Sequence, residues 1–151
     1  MKTLVIMMGL QASGKSTFYA EHLSESYVHI NLDTLKTRRR EQEAIEACLA
    51  EGKSYAIDNT NPERTDRARY IAPAKSAGYR IVGYFMQSRI RDCIARNATR
   101  SGKARVPDTA IAATSNKLEL PSYREGFDEL YFVKSEGGET IIEKWRDYDE
   151  I

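Results

Sequence analysis

The sequence is poor in the residues that build disulfide scaffolds and zinc sites. It has two cysteines, Cys48 and Cys93, and two histidines, His22 and His29. Two cysteines are too few for a disulfide framework, and no Cys/His cluster has metal-ligand spacing. We therefore expect both cysteines to be reduced thiols packed as small apolar groups. We interpret both histidines as surface or packing residues.

The sequence also lacks long apolar runs and an excess of charge of one sign. No run approaches the roughly 18 apolar residues that a membrane span needs, and the apolar stretch at residues 4–8 is too short for a signal peptide. Lys and Arg number 23 against 22 Asp and Glu. This balance excludes a uniformly basic nucleic-acid coat but leaves room for a local basic patch. We expect the 151 residues to form one domain in the cytoplasm, without a membrane partner.

Short apolar runs alternate with segments of helical periodicity along the chain. Strands are predicted at residues 3–8, 27–31, 55–57, 80–86 and 130–133, with a small further edge at 140–145. Helices are predicted at residues 16–25, 34–50, 62–77, 89–100 and 107–120, with Asn61 as the cap of the third. Strands joined by helical crossovers form parallel sheets. The prediction is an α/β fold with a mostly parallel five-stranded sheet and helices on both faces.

The most specific motif directly follows the first predicted strand. Residues 9–17 fit the pattern G-x-x-x-x-G-K-[ST]. In such a P-loop the backbone N–H groups wrap a phosphate chain, the lysine neutralises β and γ oxygens, and the hydroxyl ligates Mg²⁺. The motif therefore predicts binding of ATP or another nucleoside triphosphate. The predicted nucleotide-binding residues are Gly9, Leu10, Gln11, Ala12, Ser13, Gly14, Lys15, Ser16 and Thr17.

A carboxylate, Asp33, follows the second predicted strand. The carboxyl ends of strands in an open α/β sheet face the ligand crevice. A carboxylate there can take the proton of a hydroxyl that attacks a phosphoryl group. The competing interpretation is that Asp33 only caps the next helix. Lys36 lies one helical turn later and could contact the acceptor substrate, although salt bridges with nearby acids compete for that basic run.

Polar residues also end the third predicted strand. Asp58 follows the apolar residues 55–57, at the place where P-loop proteins hold Mg²⁺ or its water ligands. It could equally well hydrogen-bond the backbone of the P-loop, and both interpretations stay open. Asn59 adds a polar side chain at the same crevice, so Asp58 and Asn59 are both candidates for substrate binding.

Positive charge is concentrated at residues 89–105, a segment that contains six basic residues and one acidic residue. Arg96 and Arg100 share one helix face, and the residues that follow interrupt the helix. This pattern predicts a basic helical lid at about residues 96–107, with Arg96 as a nucleotide-binding candidate. Guanidinium groups on a lid can stabilise charge on a transferring phosphoryl group. A solvated basic face is the alternative.

With these motifs the chain resembles the kinase domain of 5′-hydroxyl polynucleotide kinases, the kinase half of enzymes that heal DNA and RNA ends. It is also similar to small bacterial stand-alone P-loop kinases of the AAA type. The resemblance extends from Leu4 to about Phe132, and residues 56–62 are less generic than the P-loop. It implies a kinase that uses ATP and Mg²⁺ and acts on 5′-hydroxyl ends of nucleic acid.

The resemblance also implies roles for individual residues. Lys15 and Ser16 match the phosphate-binding lysine and the magnesium-binding hydroxyl. Asp33 matches the general base, and Arg100 matches the lid arginine that stabilises the transferring phosphate. The chain departs from the family in having Leu32 where an arginine is frequent, which weakens the inference of contacts to the acceptor strand. It also has no D-x-D-G-T phosphatase motif, so 3′-phosphatase activity is not expected.

Three functions remain open at this point. The first is ATP-dependent phosphorylation of a 5′-hydroxyl on DNA or RNA, which residues 58–62 favour. The second is the same chemistry on a nucleoside, a sugar nucleotide or a small alcohol, which Leu32 and the near-neutral charge favour. The third is a non-catalytic ATP-binding module that switches a partner and would not need Asp33. The choice between DNA and RNA, and the oligomeric state, also stay open.

Overall fold

The computed structural model describes residues 1–146, which contain six strands, six α-helices and three short turns of other helical types. The strands are β1 (Thr3–Met8), β2 (Val28–Ile30), β3 (Tyr55–Asp58), β4 (Arg80–Met86), β5 (Glu129–Glu136) and β6 (Glu139–Lys144). The α-helices are α1 (Lys15–Phe18), α2 (Leu32–Leu35), α3 (Arg38–Glu51), α4 (Arg64–Ser76), α5 (Ile90–Asn97) and α6 (Asp108–Lys117). The short turns are a π-helical turn at Tyr19–Leu23 and 3₁₀ turns at Gly102–Ala104 and Tyr123–Glu125. No helix in residues 1–146 is long and apolar enough to cross a membrane.

All six strands form one sheet in the order β2-β3-β1-β4-β5-β6. The first five are parallel, and β6 runs antiparallel to β5. The central strand β1 is buried along its whole length, with Leu4, Ile6 and Met8 in the core on one face and Val5 and Met7 in the core on the other. Continuous apolar sequence in a strand thus reflects helices packed on both faces of a parallel sheet. The predicted α/β fold is confirmed, with β6 as a sixth strand.

Two predicted helices are interrupted in the structure. The segment 34–50 divides into α2 and α3 at Lys36, whose φ of +76° is incompatible with a continuous right-handed helix. Thr37 then caps α3 by accepting a hydrogen bond from the amide of Arg40 at 3.1 Å. The segment 16–25 forms only the short helix α1 before the chain widens into the π-helical turn.

The prediction that Asn61 caps the third long helix is wrong. The side-chain Nδ2 of Asn61 instead donates a hydrogen bond to the carbonyl of Met7 at 2.7 Å, and its backbone is left-handed with φ of +45°. Helix α4 begins at Arg64, where Glu63 and Asp66 form a reciprocal capping box. Asn61 therefore fastens the end of β1 to the segment that follows β3.

The free thiols are in the interior of the fold. Cys48 and Cys93 are both free and buried. The loops after β1, β2 and β3 all begin at the carboxyl edge of the sheet. Strands β2 and β3 lie on one side of β1, and the chain then crosses to β4 on the other side, so β1 lies at the switch point of the strand order. Ligands bind at such switch points in open α/β sheets.

Candidate functional site

The P-loop connects β1 to α1 in a tight turn that requires glycine. Gly9 has φ of +148°, and a Cβ there would lie 2.7 Å from the hydroxyl of Ser13. Its amide donates to the carbonyl of Thr60 at 3.0 Å. Gly14 is left-handed with φ of +99° and precedes the first residue of α1, so the free amides of this helix start face the cleft beyond the strands.

Lys15 is folded back on this loop. Its buried ammonium donates hydrogen bonds to the carbonyls of Gly9 at 3.0 Å and Leu10 at 2.8 Å. Burial lowers the pKa of Lys15 to about 8, and the charge of Asp58 opposes part of that change. A phosphate chain in the loop would replace the neutral carbonyls with anionic partners for this ammonium.

Asp58, at the end of β3, lies beside the first turn of α1. Its Oδ2 accepts a hydrogen bond from the Ser16 hydroxyl at 2.8 Å and lies 2.7 Å from Nε2 of His29. Asp58 thus bonds the Ser16 side chain, and no hydrogen bond to the P-loop backbone is seen within residues 1–146. Burial would raise the pKa of Asp58, but the hydrogen bonds from His29 and Ser16 and the charge of Lys15 lower it. The buried Oδ1 has no hydrogen-bond partner in the described chain.

The donor set around Asp58 fits Mg²⁺ held partly by a nucleotide. Within residues 1–146 no group of three or more His, Cys, Asp or Glu side chains could hold a metal ion. Mg²⁺ keeps several waters and takes one or two protein oxygens together with substrate phosphates. The Ser16 hydroxyl and the unpartnered Oδ1 of Asp58 supply oxygens of this kind.

Asp33 is exposed and projects from α2, and it is not a helix cap. The cap is Asn31, whose Oδ1 accepts a hydrogen bond from the amide of Thr34 at 3.2 Å. The carboxylate of Asp33 makes no hydrogen bond in the part of the chain that the structure describes. Asp33 is therefore available to a ligand, and the capping interpretation is wrong.

Two adjoining clefts meet at Asp33. The P-loop cleft is lined among others by Lys15, Ser16, Asp58 and Arg100, and the β2 cleft by His29, Lys36 and Lys103. Asp33 lines both clefts, as do Ser16 and Lys103. Asp33, Lys36, Arg100 and Lys103 are exposed. The structure thus brings the predicted base, phosphate-binding lysine and lid arginine to one continuous depression.

The prediction that Arg96 and Arg100 share one helix face is wrong, because α5 ends at Asn97 and Arg100 lies in the loop that follows it. A buried amide closes the base of this lid loop. Asn97 is fully buried; its Nδ2 donates to the carbonyl of Val106 at 2.6 Å and its Oδ1 accepts from the amide of Val106 at 3.0 Å. Arg96 donates to the carbonyl of Ala12 in the P-loop at 3.0 Å. Among the described residues 1–146, Arg100 donates only to Ala104 within the lid, at 3.3 Å. Sequence reasoning missed Asn97, which is one polar residue among many in a basic segment.

Both polar atoms of the Asn59 side chain form hydrogen bonds, whereas Asp58 keeps one oxygen without a partner in the described chain. The Oδ1 of Asn59 accepts a hydrogen bond from the amide of Leu32 at 3.0 Å, and its Nδ2 donates to Glu41 at 3.0 Å. Tyr70 donates to the same buried carboxylate of Glu41. Asn59 lines the P-loop cleft but serves mainly to hold the start of α2, and with it Asp33, against the end of β3.

A further cavity of about 240 Å³ opens on the far side of α1. Its walls include the apolar side chains of Phe18, Met86 and Val133, together with Thr17 of the P-loop and Arg96. A flat apolar group attached to a phosphate chain would fit between these walls.

His29 is the second functional candidate that sequence reasoning missed, because it was interpreted as a surface or packing residue. In the parallel register of β2 and β3, His29 lies opposite Ala56. Side chains two residues apart share a face of a strand, so His29 is a diagonal neighbour of Asp58. The proximity of His29 and Asp58 could have been predicted from the two strand sequences by assuming the register of β2 against β3.

Comparison with known proteins places this site in a family. The AAA domain family AAA_33 matches residues 4–121, which include the P-loop, Asp33, Asp58 and the lid. The chain belongs to this family. The predicted relation to P-loop kinases is thereby confirmed.

Two curated relatives carry similar names. A protein of Acanthamoeba polyphaga mimivirus, provisionally named a bifunctional polynucleotide phosphatase/kinase, is 34% identical over 89% of this chain. The bifunctional polynucleotide phosphatase/kinase of Schizosaccharomyces pombe is 29% identical over 84% of this chain. The AAA_33 chain matches 35% and 32% of their lengths, so it spans about a third of either relative.

Solved structures show the same fold at low identity. An unliganded sugar kinase from Janibacter sp. HTCC2649 superposes with a TM-score of 0.68 at 15% identity, over 89% of this chain and 86% of that chain. The fold is therefore that of the P-loop kinases.

Proposed function

We propose that this chain transfers the γ-phosphate of ATP or another nucleoside triphosphate to a 5′-hydroxyl end of DNA or RNA, with Mg²⁺. The observation that carries the proposal is the exposed carboxylate of Asp33, which makes no hydrogen bond within residues 1–146 and shares the P-loop cleft with Lys15 and Ser16. A nucleotide-binding switch has no need of such a group. A kinase needs a group there to take the hydroxyl proton.

The chemistry divides among residues on both sides of the cleft. Lys15 and the amides of the P-loop hold and neutralise the phosphates, and Ser16 and Asp58 would hold Mg²⁺ or its waters. The metal would screen the charge that develops between the β and γ phosphates. Asp33 orients the acceptor hydroxyl and takes its proton at the carboxylate, while Arg100 approaches the transferring group as the lid closes.

Two features support a nucleic-acid acceptor. The cations of Lys36 and Lys103 flank Asp33 in the β2 cleft, which suits an acceptor that carries phosphates of its own. The two relatives named polynucleotide phosphatase/kinase also match this chain along most of its length. Repair of nucleic-acid ends in the cytoplasm fits such an activity, and the two free buried thiols fit a reducing compartment.

A second candidate is phosphorylation of a small-molecule hydroxyl. The sugar kinase of Janibacter has the same fold, and Leu32 supplies no charge to the acceptor side of the site. Both candidates use the same base and the same P-loop, so they differ only in what occupies the β2 cleft.

A substrate panel with γ-labelled ATP tests the proposal and separates the two candidates. The acceptors are DNA and RNA oligonucleotides of one sequence with 5′-hydroxyl ends, the same oligonucleotides with 5′-phosphate ends, free nucleosides and, as a sugar-like small molecule with hydroxyl groups, gluconate. We expect label on the hydroxyl-ended oligonucleotides alone, and none with Lys15→Ala. Label on a nucleoside or on gluconate alone would overturn the acceptor class. The absence of transfer to any acceptor, with ATP binding intact, would favour the switch module.

A further inference from the structure

His29 occupies an unusual place between the two clefts. Its side chain is about one-third exposed and lines the β2 cleft, while its Nε2 lies 2.7 Å from Oδ2 of Asp58, which is almost fully buried. The ring of Tyr19 stacks on the imidazole with centroids 4.0 Å apart and an angle of 17° between the planes. The π-helical turn that begins at Tyr19 supplies this stacking surface, so the imidazole is held both at its edge and on its face.

The direction of the hydrogen bond follows from the charge of Asp58. The Asp58 carboxylate already accepts a hydrogen bond from the Ser16 hydroxyl at the same Oδ2, and an ionised carboxylate can only accept hydrogen bonds. Nε2 of His29 therefore carries the proton and donates it. With the Ser16 hydroxyl also donating to Oδ2, both contacts fix the same oxygen, and Oδ1 is left buried without a partner in the described chain.

We propose that His29 is a positioning residue for Mg²⁺: by donating to Oδ2 of Asp58 it holds Oδ1 in the orientation that receives the water ligands of a nucleotide-bound Mg²⁺. The inference rests on the nucleotide and Mg²⁺ part of the proposed function and not on the acceptor. The Ser16 hydroxyl can donate to the same oxygen while a lone pair of its own oxygen binds Mg²⁺, so it moves with the metal. His29 is anchored independently of the nucleotide, on Tyr19 and β2.

The experiment measures how strongly Mg²⁺ promotes nucleotide binding. The imido analogue of ATP is titrated calorimetrically into the protein with Mg²⁺ and, separately, with a chelator, and the ratio of the two Kd values is the readout. The variants are His29→Ala, which removes the donor, and His29→Gln, whose side-chain amide places an N–H near the position of Nε2. The control is His22→Ala, since His22 is the other histidine, stacks on Phe18 and lines neither the P-loop cleft nor the β2 cleft.

We expect His29→Ala to reduce that ratio about tenfold, as losing the partner of a metal-holding carboxylate does elsewhere, with affinity in chelator unchanged. His29→Gln should restore most of the ratio, and His22→Ala should leave it unaltered. A wild-type ratio in His29→Ala would overturn the inference while leaving the proposed function standing. Equal losses in His29→Ala and His29→Gln would also overturn it, because stacking and not the donor would then matter. Failure of the wild type to bind the analogue in Mg²⁺ would overturn the proposed function as well.

Discussion

The two sides of the depression are built differently. On the P-loop side Lys15 is buried against two carbonyls, and Ser16, Asp58 and His29 are bonded in a chain. On the other side, around Asp33, the charged side chains are exposed and form few hydrogen bonds within the protein. Preorganised groups lose little entropy when a ligand binds, whereas exposed ones must be ordered by it. The contrast indicates a preformed phosphate site beside an acceptor site that is completed only when substrate and lid come together.

The sharpest test of this contrast is Asp33→Asn, which changes the exposed side alone. Because Asn31 is the helix cap, the fold should be unaffected, and nucleotide affinity should be unchanged because Lys15 and Ser16 remain. Phosphate transfer should fall by as much as about 10⁴-fold, the upper range for loss of a general base. The measurement pairs calorimetric ATP affinity with single-turnover transfer to a hydroxyl-ended oligonucleotide.

Asp108→Asn is the matched control for this variant. Asp108 is also exposed and in the first turn of a helix, but it lines neither the P-loop cleft nor the β2 cleft. Its transfer rate should equal that of the wild type. Equal rates in Asp33→Asn and wild type would show that the hydroxyl proton leaves by another route.

The second test concerns Arg100, in the loop of the lid. If it meets the phosphoryl group only as the lid closes, Arg100→Ala should lower kcat about 10²-fold and barely change the KM for ATP. Arg91→Ala removes the same charge from α5 at a residue that lines neither cleft and should have no effect. A rise in KM for ATP at constant kcat would place Arg100 in ground-state binding instead.

The same contrast explains what the sequence could and could not predict. The P-loop, β1 and the α/β class follow from local patterns, since a buried strand followed by a glycine-rich turn has few alternative structures. Within residues 1–146 the break at Lys36 has only local contacts, and in the sequence it is marked by nothing stronger than Thr37, the cap of α3. The true role of Asn61 could not be predicted, because its partner Met7 lies far away in the chain. His29 was overlooked for the same reason, since its meaning comes from the register of β2 against β3.

The third test concerns the buried base of the lid. Asn97→Ala removes both hydrogen bonds to Val106, so the loop that carries Arg100 loses its anchor. We expect kcat to fall about tenfold from misplacement of the lid, with a stability loss of about 1–3 kcal/mol for the unpaired buried groups. Tyr79→Phe is the control, since it removes hydrogen bonds to Cys48 and Lys53, which line neither of the two clefts. If Tyr79→Phe lowers kcat equally, the effect of Asn97 is general destabilisation.

The smallest expected effect comes from the preformed side and depends on pH. Because burial lowers the pKa of Lys15 to about 8, the free protein carries a largely neutral amine there at pH 9. Bound phosphates favour the ammonium and raise its pKa, so binding at pH 9 must take up a proton and affinity must fall as pH rises above about 8. The loss is limited to about tenfold per pH unit, because a single proton is involved.

Calorimetry at pH 9 in two buffers of different ionisation enthalpy measures this proton directly. The phosphates of ATP are already fully ionised there, so uptake reports on the protein. Lys15→Met should bind the nucleotide more weakly and abolish the uptake, whereas wild type at pH 7 should show little uptake because its lysine is already charged. Uptake that persists in Lys15→Met would assign the proton to another group.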